Sequence, residues 1–362
     1  NTVLEVGYVG NRGIQQLMDV NYNQTRIYSS GFLTAFNELN ALRANTPATN
    51  PLVRMFGGNA AQAVSTIGAT NLQQGNVGAA ANTIATANFS RYSAAGLSDF
   101  YLRNFPQFQT LAVATNAGRT YYNSLQTSVR RATGAVRFAI NYTWSKTIDN
   151  SSVDGSGFTA PVDSYNLRLN RARSDIDRAH TLNWSASYFL PIGKGKAILG
   201  NVPGWADRLI GGWEVGSLGI WTSGPVMTVS SGLSTGPTGN ATWANFTGDR
   251  NIGTVERFGG GVRYFTSAQN ANFSQPAAGF IGSSGRNAFR GPRFFNTDLS
   301  LVKRFKITEK WSSTFRAEAY NLMNNVNFAT PGLNLQTPQT FGIISGTTGT
   351  PRIFQLALRI DF

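Results

Sequence analysis

His180 has the greatest catalytic potential in this sequence, because it is the single histidine. Asp175, Asp177 and Ser185 lie near it along the chain, and a hydrolase would need a serine or an aspartate paired with a histidine. No nucleophile-elbow sequence accompanies His180, which falls at a predicted junction between a loop and a strand. We therefore expect an interfacial polar residue there, and we predict no catalytic residue and no enzymatic activity.

The composition does not favour metal or cofactor chemistry. The absence of cysteine excludes thiolate ligands and disulfides, and a single histidine excludes a histidine-rich metal site. Gly259-Gly260-Gly261 resembles a phosphate-binding loop, but it lacks the following Lys-Ser/Thr and the helix. We interpret it as a flexible loop tip. The sequence predicts no metal site and no cofactor, and it leaves the substrate-binding residues unknown.

The chain is strongly basic, with a net charge of +14 and a pI near 10.4. Its Arg and Lys residues are spread along the sequence and do not cluster as they would for nucleic acid. A basic lumen, or a basic surface facing anionic lipid headgroups, fits this distribution better. We therefore predict outer-membrane lipid as a partner and no nucleic acid.

Several charged residues fall on the predicted inward faces of strands. Two readings of the arginines stay open: pairing with acids of the wall or a plug, or attraction of an anionic solute. Glu318 and Asp298 are expected to form ion pairs along the wall beside Arg316 and Arg304. The inward arginines are Arg130, Arg137, Arg304, Arg316 and Arg359.

These residues are carried by segments with strict two-residue periodicity, which is typical of strands. The last stretch places Phe354, Leu356, Leu358 and Ile360 on one face and polar residues on the other. An outward apolar face and a closing last strand are expected in a membrane barrel. We predict about nine strands: 1–10, 14–24, 107–131, 136–145, 181–190, 213–229, 295–305, 311–323 and 352–362.

Details of these strands are also predicted. Residues 11–13 should form a turn, 107–131 should be one strand kinked near 116–119, and Gly224-Pro225 should interrupt 213–229. Lys303 breaks its apolar face near the end of a strand, where a long side chain can snorkel. Tyr142 and Trp144 suit an interfacial aromatic girdle.

Connections alternate between short ones (11–13, 132–134, 308–310) and long ones (25–104, 148–178, 232–293, 324–351). Outer-membrane barrels combine short periplasmic turns with long extracellular loops. Only 191–211 is longer than a periplasmic return should be. Asp154, Asp163 and the stretch 232–293 should therefore be extracellular. Within 25–104 we predict a short helix near 32–43 and a mobile surface loop over 57–90.

The predicted fold is an all-β, antiparallel transmembrane β-barrel with long extracellular loops, in the outer membrane. The odd strand count and the start of the chain inside a strand indicate that residues 1–362 are the C-terminal part of a single barrel domain. A soluble, glycan-binding β-protein is the third hypothesis, after a transport receptor and a passive porin or surface adhesin.

The sequence resembles the TonB-dependent outer-membrane receptors, and within them the Oar-like group. The resemblance rests on the blocks 1–13, 122–131, 141–149, 173–180 (R-S-D-I-D-R-A-H), 285–292 (G-R-N-A-F-R-G-P), 315–324 and the terminal strand. It implies a 22-stranded barrel, of which this chain holds about nine strands, and a monomer when full length. It also implies an N-terminal plug and often a carboxypeptidase-regulatory-like domain, both absent from this chain. Uptake would be energised by the TonB inner-membrane complex through the missing region. The alternative is a surface or adhesion protein, or a passive porin without energised uptake.

Overall fold

Eight long antiparallel strands form one sheet in a computed structural model, which describes residues 2–152, 160–306, 308 and 310–362. Each strand pairs with its neighbours in sequence, so the sheet is a simple meander. The all-β, antiparallel prediction is confirmed. The strands are β1 (Thr2–Asn21), β2 (Ala112–Arg131), β3 (Val136–Asp149), β4 (His180–Phe189), β5 (Trp213–Thr222), β6 (Phe294–Lys306), β7 (Ser312–Tyr320) and β8 (Ile353–Asp361).

The first strand corrects the predicted count. Segments 1–10 and 14–24 are one strand, β1, and 11–13 is not a turn, because β2 pairs with β1 on both sides of it. The irregularity that suggested a turn is absorbed by register shifts between Gly13 and Met18, opposite Gly118. The single long strand predicted over 107–131 is confirmed as β2. In the part of the chain that the structure describes, eight long strands replace the predicted nine, so the predicted odd count is wrong.

The registers keep the predicted apolar face continuous from strand to strand. Tyr8 pairs with Leu125, and Ile140 pairs with Trp184. The apolar side chains of β8 remain highly exposed, with Leu356 at 73%. Among the described residues no pairing joins β1 to β8, which are the two edges of the sheet.

Connections alternate as predicted. The connections from β2 to β3 and from β6 to β7 are short and lie at the same end of the sheet as 190–212, which contains a helix, α6 (Gly204–Ile210). The long connections, described over 22–111, 150–152 with 160–179, 223–293 and 321–352, all lie at the other end. Asp154 lies outside the described residues. No helix in the described ranges is long and apolar enough to cross a membrane.

The first long connection is a small helical body. Helix α1 (Phe32–Leu42) confirms the predicted helix near 32–43, but the mobile loop predicted over 57–90 is wrong. Asn50 and Asn59 cap two of the helices through their side chains, and the alanine-rich segment buries Ile67, Leu72 and Ile84 in one core with residues of α1. The helices are α1 (Phe32–Leu42), α2 (Pro51–Arg54), α3 (Ala60–Ile67), α4 (Ala69–Gln73) and α5 (Val77–Ala87), with 3-10 turns at Arg43–Asn45, Phe89–Arg91 and Ser93–Ala95.

The third and fourth long connections share an aromatic core that contains Phe265, Phe273, Phe289 and Phe341. The segment predicted as one strand over 213–229 divides here. β5 ends at Thr222, and Val226–Met227 leaves the wall to pair with Phe289–Arg290. The other short elements are Leu167–Asn170, Ala172–Arg173, Asn245–Phe246, Glu256–Phe258, Gly261–Arg263, α7 (Ser267–Asn270), Phe273–Ser274, Asn327–Phe328, Ile343–Ile344 and Thr347–Thr348.

Hydrogen bonds join these bodies. The Gly78 amide donates to the Ser234 carbonyl at 2.7 Å, and the Ser234 amide donates to Asn76 Oδ1 at 2.7 Å. Thr25 Oγ1 donates to the Pro237 carbonyl at 2.5 Å. We call residues 22–111, 160–179, 223–293 and 321–352 together the loop cap.

Candidate functional site

The blocks 173–180 and 285–292 meet in space, although more than a hundred residues separate them. Arg286 is the centre of this contact. Its Nη2 donates to Asp149 Oδ1, its Nη1 lies 3.5 Å from Asp175 Oδ1, and its Nε donates to the Asn170 carbonyl at 3.1 Å. Its side chain is only 5% exposed. A buried guanidinium satisfied by two carboxylates and a carbonyl fixes the loop 223–293 to the end of β3.

A second ion pair runs parallel to the first. Arg290 Nη2 lies 2.5 Å from Asp177 Oδ2, and Asp177 is fully buried. The other oxygen of Asp177 accepts a hydrogen bond from the Thr147 amide at 2.6 Å. Asp177, which the sequence placed near a catalytic candidate, therefore holds the loop 223–293 to β3.

His180 lies in an aromatic stack at the loop end of the wall. Its Nδ1 is 2.8 Å from the Tyr142 hydroxyl, and its ring stacks between those of Tyr142 and Trp221 at about 6 Å. Ser185 points to the opposite face of β4, because five residues separate it from His180 and side chains alternate. This arrangement agrees with an interfacial aromatic position.

A cleft of about 690 Å³ opens beside the Arg286 contact. It lies between residues 169–173 on one side and residues 249–253 and 283–290 on the other. Its lining includes five arginines and one acid: Arg171, Arg173, Arg250, Arg286, Arg290 and Asp249. The blocks 173–180 and 285–292 thus contribute several lining residues, although no sequence pattern predicted that they would meet 249–253.

The cleft carries an excess of positive charge. Arg286 and Arg290 are neutralised by their aspartates, whereas Arg171, Arg173 and Arg250 have no carboxylate within ion-pair distance in the described part of the chain. Burial lowers the pKa of Arg173, and the nearby charges of Arg290 and Arg250 lower it further, against the effect of Asp177. Asp249 accepts a hydrogen bond from the Asn251 amide at 2.9 Å. Such a cleft is suited to an anion.

Most of the inward arginines pair with acids of the wall. Arg130 contacts Glu5 at 2.8 Å, and Arg359 contacts Asp361 at 2.7 Å. Arg304 lies 3.6 Å from Glu214, and Arg316 lies 3.5 Å from Glu318. Arg137 instead lies over the ring of Phe189. The predicted ion pair of Glu318 with Arg316 is confirmed. The geometry favours pairing with acids of the wall, over attraction of a solute, for Arg130, Arg304, Arg316 and Arg359.

Two residues differ from their predicted surroundings. Asp298 accepts hydrogen bonds from Asn296 Nδ2 and the Asn321 amide, at 2.9 and 2.8 Å, and so fixes the end of a loop. Lys303 is only 6% exposed and does not snorkel into solvent. Its Nζ donates to the carbonyls of Leu209 and Gly211, because the C-terminal end of α6 supplies unpaired acceptors.

A second cavity, of about 470 Å³, has a mostly polar lining that includes Asp19 and Arg103. Arg103 is buried and donates to the carbonyls of Phe108 and Gln109 and to Asn82 Oδ1. These bonds join α5 to the segment that leads into β2. The role of Arg103 is therefore to hold the helical body.

The remaining candidates are structural. Gly259-Gly260 forms the tip of a hairpin between Glu256–Phe258 and Gly261–Arg263. No group of metal-ligating side chains occurs among the residues that the structure describes.

Comparisons with known proteins identify the family to which the chain is similar. A family described as "Outer membrane beta barrel domain" matches residues 1–355. No curated protein matches. Among solved structures, the chain is similar to the outer membrane transporter YddB from Escherichia coli, with 11% identity and a TM-score of 0.32. The match covers 70% of this chain and 26% of that one, so the chain spans about a quarter of the length of the structure it matches.

Proposed function

Because the chain belongs to the outer membrane beta barrel domain family, we propose that it forms wall and loops of a TonB-dependent receptor that takes up a solute. The chain is an outer-membrane protein. Its apolar strand face suits lipid contact, and its partner for energy would be the TonB inner-membrane complex. We propose a monomer for the full-length protein, since each barrel of this kind is one closed wall.

The observation that carries this proposal is the basic cleft within a packed loop cap. All four long connections contribute to buried cores or buried ion pairs, and hydrogen bonds join the first connection to the third. Ordering so many loop residues costs conformational entropy. A preformed concave site at one end of a membrane wall is what a receptor needs to select a solute.

Energised uptake can be tested in cells without knowing the solute. Spent growth medium would be compared among the wild-type strain, a strain lacking this protein and a strain lacking the TonB energising complex. We expect at least one solute to remain unconsumed in both mutants. A solute lost from the medium of the TonB mutant but not of the receptor mutant would indicate a passive porin. Identical media from all three strains would favour a surface or adhesion protein.

The orientation of the loop cap has its own test, made simple by the absence of native cysteine. Gly259→Cys at the exposed hairpin tip should react with an impermeant maleimide on intact cells. Thr133→Cys, in the short connection between β2 and β3, should react only after the outer membrane is permeabilised. The reverse pattern would place the long loops on the periplasmic side.

A further inference from the structure

We infer that the basic cleft binds a phosphate monoester. The inference depends on the proposed receptor function only for the claim that the bound group is cargo. The cleft volume of about 690 Å³ suits a small solute such as a sugar phosphate.

The first argument is the composition of the charged side chains. Arg173 and Arg250 bring guanidinium groups into one cleft without an ion-pair partner among the described residues. Guanidinium groups present a planar set of donors that matches the oxygens of a phosphate. A doubly charged phosphate would relieve the mutual repulsion of these side chains, which a neutral solute would leave unchanged.

The second argument is independent of charge. Ser284 lines the same cleft, and its side chain is 2% exposed. Its Oγ is buried without a hydrogen-bond partner in the part of the chain that the structure describes. A buried hydroxyl without a partner is costly, and a phosphate oxygen in the cleft would accept a hydrogen bond from it.

The third argument concerns rigidity. Arg286 and Arg290 are neutralised by Asp149, Asp175 and Asp177, so they fix the back of the cleft and do not add free charge. The Arg250 Nη2 donates to the Ser283 carbonyl at 3.1 Å, which orients its guanidinium beside Ser284. A site with fixed donors loses little entropy when the ligand binds.

Two sources could supply the phosphate: a soluble phosphorylated solute, or the phosphorylated headgroup of an outer-membrane glycolipid. Binding would be measured by calorimetry on the protein purified in a neutral detergent, with glucose 6-phosphate and glucose as a matched pair. We expect saturable binding of glucose 6-phosphate and none of glucose. The variant Arg173→Gln/Arg250→Gln should weaken binding by about a hundredfold, since two charged hydrogen bonds are lost and each is worth about one factor of ten.

The control is Arg257→Gln, which removes one charge from an exposed position outside the cleft and should leave the affinity unchanged. Protease digestion patterns would show that all variants keep the folded loop cap. A repeat in phosphatidylcholine liposomes with phosphorylated lipid A separates the sources. Unchanged binding of glucose 6-phosphate in the presence of lipid A assigns a soluble solute. Displacement of glucose 6-phosphate by lipid A, or binding of lipid A to the wild type and not to the double variant, assigns the glycolipid headgroup.

The inference is overturned if neither glucose 6-phosphate nor lipid A binds, or if the double variant binds as tightly as the wild type. Because binding is measured without uptake, the two proposals fail separately. Binding with no energised uptake would reject the receptor, and uptake without binding would reject only the phosphate site.

Discussion

Arg286 and Asp149 form a buried ion pair although 137 residues separate them, and their side chains are 5% and 3% exposed. The pair joins a long loop directly to the last residue of β3. It therefore couples the shape of the basic cleft to the wall itself.

The first prediction concerns this pair. Arg286→Leu leaves Asp149 buried without its partner, which should destabilise the local contact by about 3–5 kcal/mol. We expect the loop 223–293 to become sensitive to protease while the wall stays folded. Arg263→Leu, which breaks an exposed pair with Glu256, should change the digestion little. Equal protease resistance of Arg286→Leu and the wild type would contradict the structural role of the pair.

The second prediction concerns the two faces of β3. Ile140→Arg should destabilise the barrel by about 2–4 kcal/mol, because it places a guanidinium in hydrocarbon near the bilayer midplane. Asn141→Arg should be much milder, because Asn141 faces inward, where its Nδ2 donates to Asn183 Oδ1 at 3.0 Å. Folding stability in lipid vesicles would be measured by urea titration. Equal losses would show that the alternation does not separate lipid from lumen.

The third prediction concerns a close approach between two loops. Alanine is normally better than glycine in a helix by about 1 kcal/mol, yet Gly78→Ala should loosen the loop cap. An added Cβ would overlap Ser234 Oγ and the carbonyls of Gly236 and Thr238. Gly204→Ala in α6 is the control, because an added Cβ there would meet no atom within 4 Å beyond its chain neighbours and the backbone of its own helix. Hydrogen exchange of the Gly78 region should accelerate only in the first variant, and unchanged exchange would contradict the contact.

The fourth prediction concerns pH. Burial raises the pKa of Tyr92 and of Tyr101, whose rings meet edge to face at 5.6 Å. Below about pH 10 both tyrosines are neutral in the folded and the unfolded chain, so their contribution is constant. Above that pH only the unfolded form ionises readily, so the stability of the helical body should fall as pH rises.

The loss of stability at high pH would be followed by the absorbance of tyrosinate during an alkaline titration. The wild type should show a late cooperative step that Tyr92→Phe/Tyr101→Phe lacks. The double variant should lose no stability at pH 7, since neither hydroxyl has a hydrogen-bond partner among the described residues. Tyr8→Phe, at an exposed position of β1, should keep the step. A step of full height in the double variant would contradict the assignment.

The strands were predictable because their pattern is local. The apolar alternation of β3 can be read from adjacent residues, as can the periodicity of β8. The fusion of two predicted strands into β1 could not be predicted, because Asn11-Arg12-Gly13 has the composition of a turn. Only the pairing of these residues with β2 shows that they continue the strand. The alanine-rich helices were missed since their weak amphipathic pattern becomes informative only when α1 supplies a partner surface.

The candidate site was less predictable than the wall. Sequence reasoning identified the blocks that contain Arg286 and Asp177, but not their contact, because no local rule links residues so far apart. The contribution of Arg250 had no signal, since an arginine in a Gly/Asn-rich loop resembles any solvated charge.

The hydrogen bonds between Gly78 and Ser234 and between Thr25 and Pro237 have a mechanical consequence. Each wall strand touches only its neighbours in sequence, so the wall alone could change its curvature by small adjustments of twist at every strand pair. The cap bonds instead join the connection after β1 to the connection after β5, with the four strands β2 to β5 between them. These bonds restrain the curvature of the sheet over those strands, and so set the width of the opening at the end of the wall that carries the loop cap.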